Sequence, residues 1–336
     1  MIEEAIYRLS KRENLSEELL KGSFIEIIEG KASTVQISAF LMGLSMKGET
    51  EDEILATVKL FRDYTIKIKS PQGTIDIVGT GGDRSGTFNV STATSFVVAG
   101  AGVPVAKHGN RSASSQCGSI DVLEELGIKV DMSPQIAEKC LFECGLTVLF
   151  APLYHPAMKR VVPVRKELKI RTIFNILGPM LNPAEVKRIL IGVFAKEYME
   201  IIARVMSKLG AEDVMVVHSE EGLDEISISG KTYIVRAKDG KIETKTITPE
   251  EAGLSRSSLD QVRGADKREN ARIVLEILKG NKGPSTDMVL LNAASALQVA
   301  GKANSLSEGV KIAKQAIDSG KAYNKLEQLK KLSHSI

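Results

Sequence analysis

From Ile2 to about Tyr64 apolar residues recur at three- and four-residue spacing, the period of helices that bury one face. Ser33 with Gln36 and Thr50 with Glu53 have capping-box spacing, which places helix starts there. A helical lobe is expected over residues 1–70. Leu41, Met42, Leu44 and Met46 belong to its core or to a contact between subunits rather than to a cofactor. Lys69-Ser70-Pro71-Gln72-Gly73 ends this period. Short apolar runs follow at residues 75–78, 103–106 and 214–218, each leading into a polar or glycine-rich turn, as buried strands of an α/β sheet do. The alternation Ile226-Ser227-Ile228-Ser229 reads as a further strand.

The first run ends in Gly79-Thr80-Gly81-Gly82-Asp83, and Asn89-Val90-Ser91-Thr92 then opens a helical pattern of small residues. Glycines let the backbone approach a ligand, so amides and a helix N-terminus can both face phosphate oxygens. Alone, the stretch fits an ordinary strand-to-helix turn equally well, and it is neither G-x-G-x-x-G nor a P-loop. The second run leads into Lys107-His108-Gly109-Asn110-Arg111-Ser112-Ala113-Ser114-Ser115, read as a loop of cations and hydroxyls. A right-handed crossover puts both loops at the carboxyl edge of one sheet. Lys107, Asn110 and Arg111 are therefore expected to face Gly81, Gly82 and the helix start at Ser91, which favours a ligand with more than one phosphate.

Residues 219–225 form an acidic turn after the third run. Carboxylates beside a polyphosphate repel it unless hard cations lie between, so Asp224 and Glu225 suit Mg2+, while Glu220 and Glu221 suit a solvated turn. Between Lys159 and Arg171 six cations accompany one acid, Glu167. Most fit a solvated helix face. Pro163 is expected to interrupt the helix and leave Arg165 just after the break, aimed into a cleft where its planar guanidinium matches a small carboxylate.

At 336 residues and 43% hydrophobic content the chain can bury a large core in two lobes. A net charge of +3 does not call for nucleic acid, and no apolar run is long enough to span a bilayer. Met1-Ile2-Glu3-Glu4-Ala5 has acids where a signal peptide needs cations, so a cytoplasmic location is expected. Cys117, Cys140 and Cys144 suit a reducing compartment, and no second ligand pair stands near Cys140 and Cys144 to suggest structural zinc.

The ordered series of residues 79–83, 87–92, 107–111, Gly118-Ser119 with Asp121, Val164-Arg165, Arg171-Thr172-Ile173-Phe174-Asn175 with Gly178-Pro179, and Leu223-Asp224-Glu225 closely resembles anthranilate phosphoribosyltransferases. The likeness continues through Thr248-Pro249-Glu250 and Glu269-Asn270-Ala271 to Leu291-Asn292-Ala293-Ala294, nearly the whole chain. Departures are small: Ile120 replaces an expected alanine, and Gln116 and Cys117 stand where many relatives carry other polar residues.

The resemblance implies an α/β fold of the nucleoside phosphorylase and phosphoribosyltransferase class, a small helical domain plus a larger α/β domain with a central, mostly parallel sheet. The helical domain would be 1–70 joined by about 160–183, and the α/β domain 71–159 with 184–336. It implies phosphoribosyl pyrophosphate sites at Gly79, Gly82, Asp83, Thr87, Asn89, Val90, Ser91, Thr92, residues 107–115 and Ser119. Anthranilate contacts fall at Gly79, Asn110 and Arg165, and two magnesium ions at Ser91, Asp224 and Glu225. It further implies a homodimer through the helical domain.

The reaction this resemblance implies, attack of the anthranilate amine on C1 of the ribose, would pass through an oxocarbenium-like state, with magnesium, Lys107 and loop amides stabilising the leaving group. An aromatic amine is neutral at pH 7, so positioning by Arg165 and Asn110 suffices, and His108 reads as packing or donating one hydrogen bond rather than as a base. Two rivals stand beside this: a pyrimidine nucleoside phosphorylase, which needs less of an acidic magnesium site, and a nucleic-acid binder using the cationic face, against which the absence of Trp and 4% aromatic content weigh.

Overall fold

The computed structural model describes residues 1–83, 85–111 and 117–335. Four helices open the chain, α1 (Ile2–Ser10), α2 (Glu17–Glu29), α3 (Thr34–Lys47) and α4 (Glu51–Asp63). Both expected capping boxes form: the Ser33 and Thr50 hydroxyls accept the amides of Gln36 and Glu53, whose side chains accept the cap amides in return. A cap of this kind contributes about 1 kcal/mol. Phe24 of α2 meets Phe61 of α4 edge to face at 5.4 Å, and Phe174, from far along the chain, closes on both at 5.8 and 5.3 Å.

The strands β1 (Ile75–Gly79), β2 (Val105–Gly109), β3 (Leu146–Phe150), β4 (Arg188–Gly192), β5 (Asp213–Ser219), β6 (Thr232–Lys238) and β7 (Lys241–Ile247) form one sheet in the order β3-β2-β1-β4-β5-β6-β7. The first five are parallel, and β6 and β7 extend them as an antiparallel hairpin. Among the strands run α5 (Val90–Gly100), α6 (Ser119–Glu125), α7 (Pro134–Cys144), α8 (Ala151–Tyr154), α9 (Val161–Leu168), α10 (Phe174–Leu177) and α11 (Tyr198–Lys208). The chain closes with α12 (Lys267–Leu278), α13 (Pro284–Val299), α14 (Leu306–Asp318) and α15 (Lys321–Ser333).

Side-chain alternation along the strands sorts apolar residues into two cores. Ile75, Ile77, Leu190, Met215 and Val217 pack with α5 and the closing helices, whereas Ile189, Ile191, Val214 and Val216 pack with α11 and the first four helices. The same alternation sends Lys107 of β2 toward α5 and His108 toward the other face. Strand addition reverses at β1, where Gly79 pairs with Gly192 of β4. In open α/β sheets a ligand crevice lies at such a point, beyond the carboxyl ends of the strands.

Three expectations are corrected. Residues 226–229 form no strand, because the Ile226 amide donates to Asn292 Oδ1 and Ser227 Oγ donates to Glu221, both at 3.0 Å, which turns the segment out of any ladder. Lys107 and His108 lie within β2, not in a loop after it. Pro163 does not interrupt a helix: it sits in the first turn of α9, where its missing amide has no partner to lose, and the break falls earlier at the 3-10 turn Pro156–Arg160. Arg165 is thus inside a helix.

Candidate active site

The glycine loop turns out of β1 with Gly81 and Gly82 at φ 67° and 78°, in the left-handed region that favours glycine. The Gly81 amide donates to Asp224 Oδ2 at 2.6 Å, and the Thr80 amide to the Gly192 carbonyl at 2.9 Å. Asp224 is seated over two glycines of the paired strand ends. A Cβ on Gly79 would strike its carboxylate, and one on Gly192 would strike its carbonyl oxygen.

Burial, then the neighbouring Asp83, pushes the Asp224 carboxyl up to about 7. Glu225 is raised well above the usual carboxylate range by burial and then by Asp224, against the pull of Lys107 and the Ser91 amide. Asp83 Oδ2 and Asn89 Oδ1 are buried with no hydrogen-bond partner. Asp224, Glu225 and Asp83 therefore stand close enough to repel one another near the N-terminus of α5, with Asp83 Oδ2 unspent. A group of hard oxygen donors in mutual repulsion is one that a divalent cation fits.

Lys107 is 2% exposed and donates to the Ile77 carbonyl at 3.1 Å and Ser91 Oγ at 3.2 Å. Burial lowers its pKa while Asp76 and Glu225 oppose that. Val90 and Thr92 turn their side chains into the core, and the Val90 amide is taken by the Phe88 carbonyl at 2.7 Å. Thr87 shares a hydroxyl contact with Ser85 at 3.1 Å. Gly109 lies against Ser119, whose Oγ donates to the Asn110 carbonyl at 3.4 Å. Asn110 is exposed.

Arg111 departs from expectation. Its guanidinium pairs with Asp121 at 2.9 Å and Glu124 at 2.6 Å on α6 and lies over the Phe150 ring, so it is not brought to Gly81 and Gly82. These acids raise its pKa further. Ser112, Ala113, Ser114 and Ser115 lie outside the described residues.

Arg165 is half-buried. Its Nη2 donates to Asn175 Oδ1 at 3.4 Å, its guanidinium stands 5.5 Å from the Phe174 ring centroid, and its buried Nε has no partner. Burial lowers its pKa, and a guanidinium keeps its charge all the same.

Three polar groups here have little sequence signal. Asp76, alone among apolar neighbours on β1, accepts the His108 amide at 3.2 Å on one oxygen and Asn182 Nδ2 at 2.7 Å on the other, and burial raises it to about 6. His108 Nε2 lies 3.0 Å from His155 Nε2 in a buried pair. His108 Nδ1 reaches the Gly178 carbonyl at 3.2 Å, and His155 Nδ1 reaches Thr65 Oγ1 at 3.1 Å. With both rings neutral, His108 Nδ1–H donates to the Gly178 carbonyl and His155 Nε2–H to His108 Nε2, leaving His155 Nδ1 an acceptor beside Thr65 Oγ1, whose hydroxyl also reaches the Phe61 carbonyl at 2.8 Å. Burial, then the partner ring, lowers His108 to about 3, and burial lowers His155 to about 4. His108 is thus a neutral donor held in place, in line with the packing role expected of it.

Residues 71–323 match the glycosyl transferase family, a/b domain, and residues 3–65 match the glycosyl transferase family, helical bundle domain. The anthranilate phosphoribosyltransferase of Aquifex aeolicus (strain VF5) is 47% identical over 338 residues, 100% of this chain and 99% of that one. That of Persephonella marina (strain DSM 14350 / EX-H1) is 48% identical over 336 residues, 99% of each. Among solved structures, anthranilate phosphoribosyltransferase from Thermus thermophilus superimposes with a TM-score of 0.92 at 39% identity, covering 98% of this chain and 99% of that one. The Saccharomyces cerevisiae enzyme in complex with PRPP and Mg gives 0.91 at 28% identity over 100% of this chain and 98% of that one.

Proposed function

This chain belongs to the anthranilate phosphoribosyltransferase family, and we propose that the crevice beyond β1, β4 and β5 is where its two substrates meet. The reaction transfers the 5-phosphoribosyl group of phosphoribosyl pyrophosphate to the amine of anthranilate, giving N-(5-phosphoribosyl)anthranilate and pyrophosphate in tryptophan biosynthesis. The observation that carries the site assignment is the seating of Asp224 on the Gly81 amide, which brings the acidic turn, the glycine loop and the N-terminus of α5 together. The phosphorylase and nucleic-acid readings fall away before relatives matched end to end.

Donor binding is assigned to Gly79, Gly82, Asp83, Thr87, residues 89–92, residues 107–110, residues 112–115 and Ser119, with Arg111 left out because Asp121 and Glu124 hold it. Of these, Val90 is a core side chain whose amide is taken by the Phe88 carbonyl, and Thr92 keeps a buried hydroxyl without a partner. Lys107 acts as a fixed buried cation under the donor site, and α5 adds its N-terminal partial charge. Charge developing on departing pyrophosphate strengthens both interactions in the transition state, which is what accelerates the step.

Ser91, Asp224 and Glu225 would hold magnesium, as two ions, and Asp83 Oδ2 is a further oxygen in want of a partner. Bound there, magnesium neutralises diphosphate charge and offsets the repulsion among these carboxylates.

Arg165, Asn110 and Gly79 receive anthranilate. The guanidinium offers its carboxylate two parallel donors, and Asn110 and the glycine backbone fix the ring so that the neutral amine faces C1. No residue is needed as a base before attack, and both buried histidines are uncharged donors or acceptors at neutral pH.

Residues 1–70 with about 160–183 are assigned to the helical domain, and 71–159 with 184–336 to the α/β domain. The exposed apolar face of Tyr7, Val35, Met42 and Met46 on and beside α1 and α3 supports a homodimer through that helical domain. No helix among the described residues is long and apolar enough to cross a membrane, and a cytoplasmic place is proposed. The test is the loss of anthranilate fluorescence on mixing with phosphoribosyl pyrophosphate. Magnesium-dependent loss matched by pyrophosphate release supports the reading, and none from folded protein sinks it.

A further inference from the structure

Arg171 stands between α9 and α10, outside any helix, and touches three separate parts of the molecule. Its Nη2 donates to the Gly82 carbonyl at 2.7 Å. Its guanidinium carbon stacks 3.9 Å from the centroid of the Phe194 ring, just beyond β4. Its own carbonyl accepts Ser45 Oγ of α3 at 3.0 Å. Phe194 is in turn fixed to the glycine loop, because its amide donates to Thr80 Oγ1 at 3.1 Å and its ring meets Tyr198 edge-on at 5.4 Å. Thr80 and Gly82 are therefore both held from the β4 side, one by the Phe194 backbone and one by the cation lying on its ring.

A left-handed glycine has no side chain to brace it, so the direction of the Gly82 peptide depends on what grips its carbonyl. A planar guanidinium can stack on a ring and donate in its own plane at once, which an ammonium cannot do. The segment that supplies Arg171 also organises the acceptor side. Asn175 Oδ1 accepts the Thr172 amide at 2.9 Å and Arg165 Nη2 at 3.4 Å.

We propose that Arg171 is a positioning residue that sets the Gly81–Gly82 turn for the phosphoribosyl donor and couples that turn to the segment holding Arg165. The inference rests on the functional reading above. Its site of action is the donor loop, although the residue belongs in sequence to the acceptor-side basic run.

The test compares Arg171→Ala, Arg171→Lys and Phe194→Leu with the parent. Two readouts are used: KM for each substrate with kcat, and the thermal shift produced by phosphoribosyl pyrophosphate with magnesium. Arg171→Ala is expected to raise the donor KM about tenfold or more and the anthranilate KM less, and to diminish the donor-induced shift. Arg171→Lys should recover only a small part, since it restores charge without stacking. Phe194→Leu should reproduce the effect, and the Arg171→Ala, Phe194→Leu pair should add little to either alone. A donor KM within twofold of the parent in Arg171→Ala, full rescue by lysine, or additive losses in the pair would each overturn the proposal. A parent protein with no donor-induced shift would instead remove the functional reading on which it rests.

Discussion

The Asp224 carboxylate accepts the Gly81 amide at 2.6 Å across 143 residues of chain. One side chain thus fixes the acidic turn, the glycine loop and the ends of β1 and β4 in a single arrangement. Asp224→Asn keeps the shape and removes the charge. It is expected to lower kcat/KM by tenfold or more, about 1.4 kcal/mol of transition-state stabilisation, and to raise the magnesium concentration needed for half-maximal rate. The metal-free protein should become more stable by about 1–2 kcal/mol, because a carboxyl disfavoured by burial and by Asp83 is relieved. Rate and urea unfolding measured on the same preparation check both halves.

Gly192→Ala places a methyl into the Asp224 carbonyl oxygen, which is backbone and cannot swing aside. Overpacking of this kind costs about 1–3 kcal/mol or more. Because the collision lies at the acidic turn, the donor KM should rise as well. Thermal denaturation within error of the parent would mean that the turn is free to move.

Arg165→Ala removes a half-buried guanidinium already short of partners, with its Nε unpaired. The anthranilate KM should rise about tenfold, and the donor KM much less, the split expected of a group that binds one substrate's carboxylate. An equal rise in both would take Arg165 out of that role.

The histidine pair predicts a pH dependence of stability. Folding depresses His108 to about 3 and His155 to about 4 from 6.5. A depressed folded pKa stabilises above the unfolded value and loses that contribution as the pH falls through the folded one. Each neutral imidazole therefore gives up about 1.4 kcal/mol per pH unit from 6.5 down to its folded value, about 3 for His108 and about 4 for His155, and nothing further below it. In His155→Gln that slope should be shallower by about one proton, read from urea unfolding at pH 7, 6 and 5. Parallel curves would show that His155 is charged in the folded state.

Val35 and Met46 are 78% and 63% exposed on α3. Introducing Val35→Glu with Met46→Glu is expected to give monomers by sedimentation while leaving the unfolding midpoint of the subunit within a few degrees. A parent chain that already sediments as a monomer would remove the proposed dimer.

The glycine loop and the start of α5 are legible because their signal is local: apolar run, glycines, small-residue helix. The helical lobe is legible because its caps are four-residue patterns. Asp76 and Asn182 are not, since each is a single polar residue whose partner appears only when the sheet is built. His155 stands beside a run of cations in sequence and pairs with β2 in space. Arg111 illustrates a signal that is present but easily passed over. Its acids lie ten and thirteen residues on, at Asp121 and Glu124, one turn apart on α6, and that spacing marks them as a receptor for one guanidinium. The irregular course of residues 226–229 is set partly from afar, by Asn292 on α13, and partly by nearby groups that carry no strand-breaking signal of their own, Glu221 on the Ser227 hydroxyl and that hydroxyl on the Ser229 amide.

Phe174 completes an aromatic cluster begun by Phe24 and Phe61. During synthesis α2 and α4 leave the ribosome long before Phe174 is made, and the apolar surface between them stays uncovered for that interval. The first four helices are then a docking platform awaiting its wedge, and a nascent chain arrested before residue 174 should be the form that chaperones hold longest and proteases cut first.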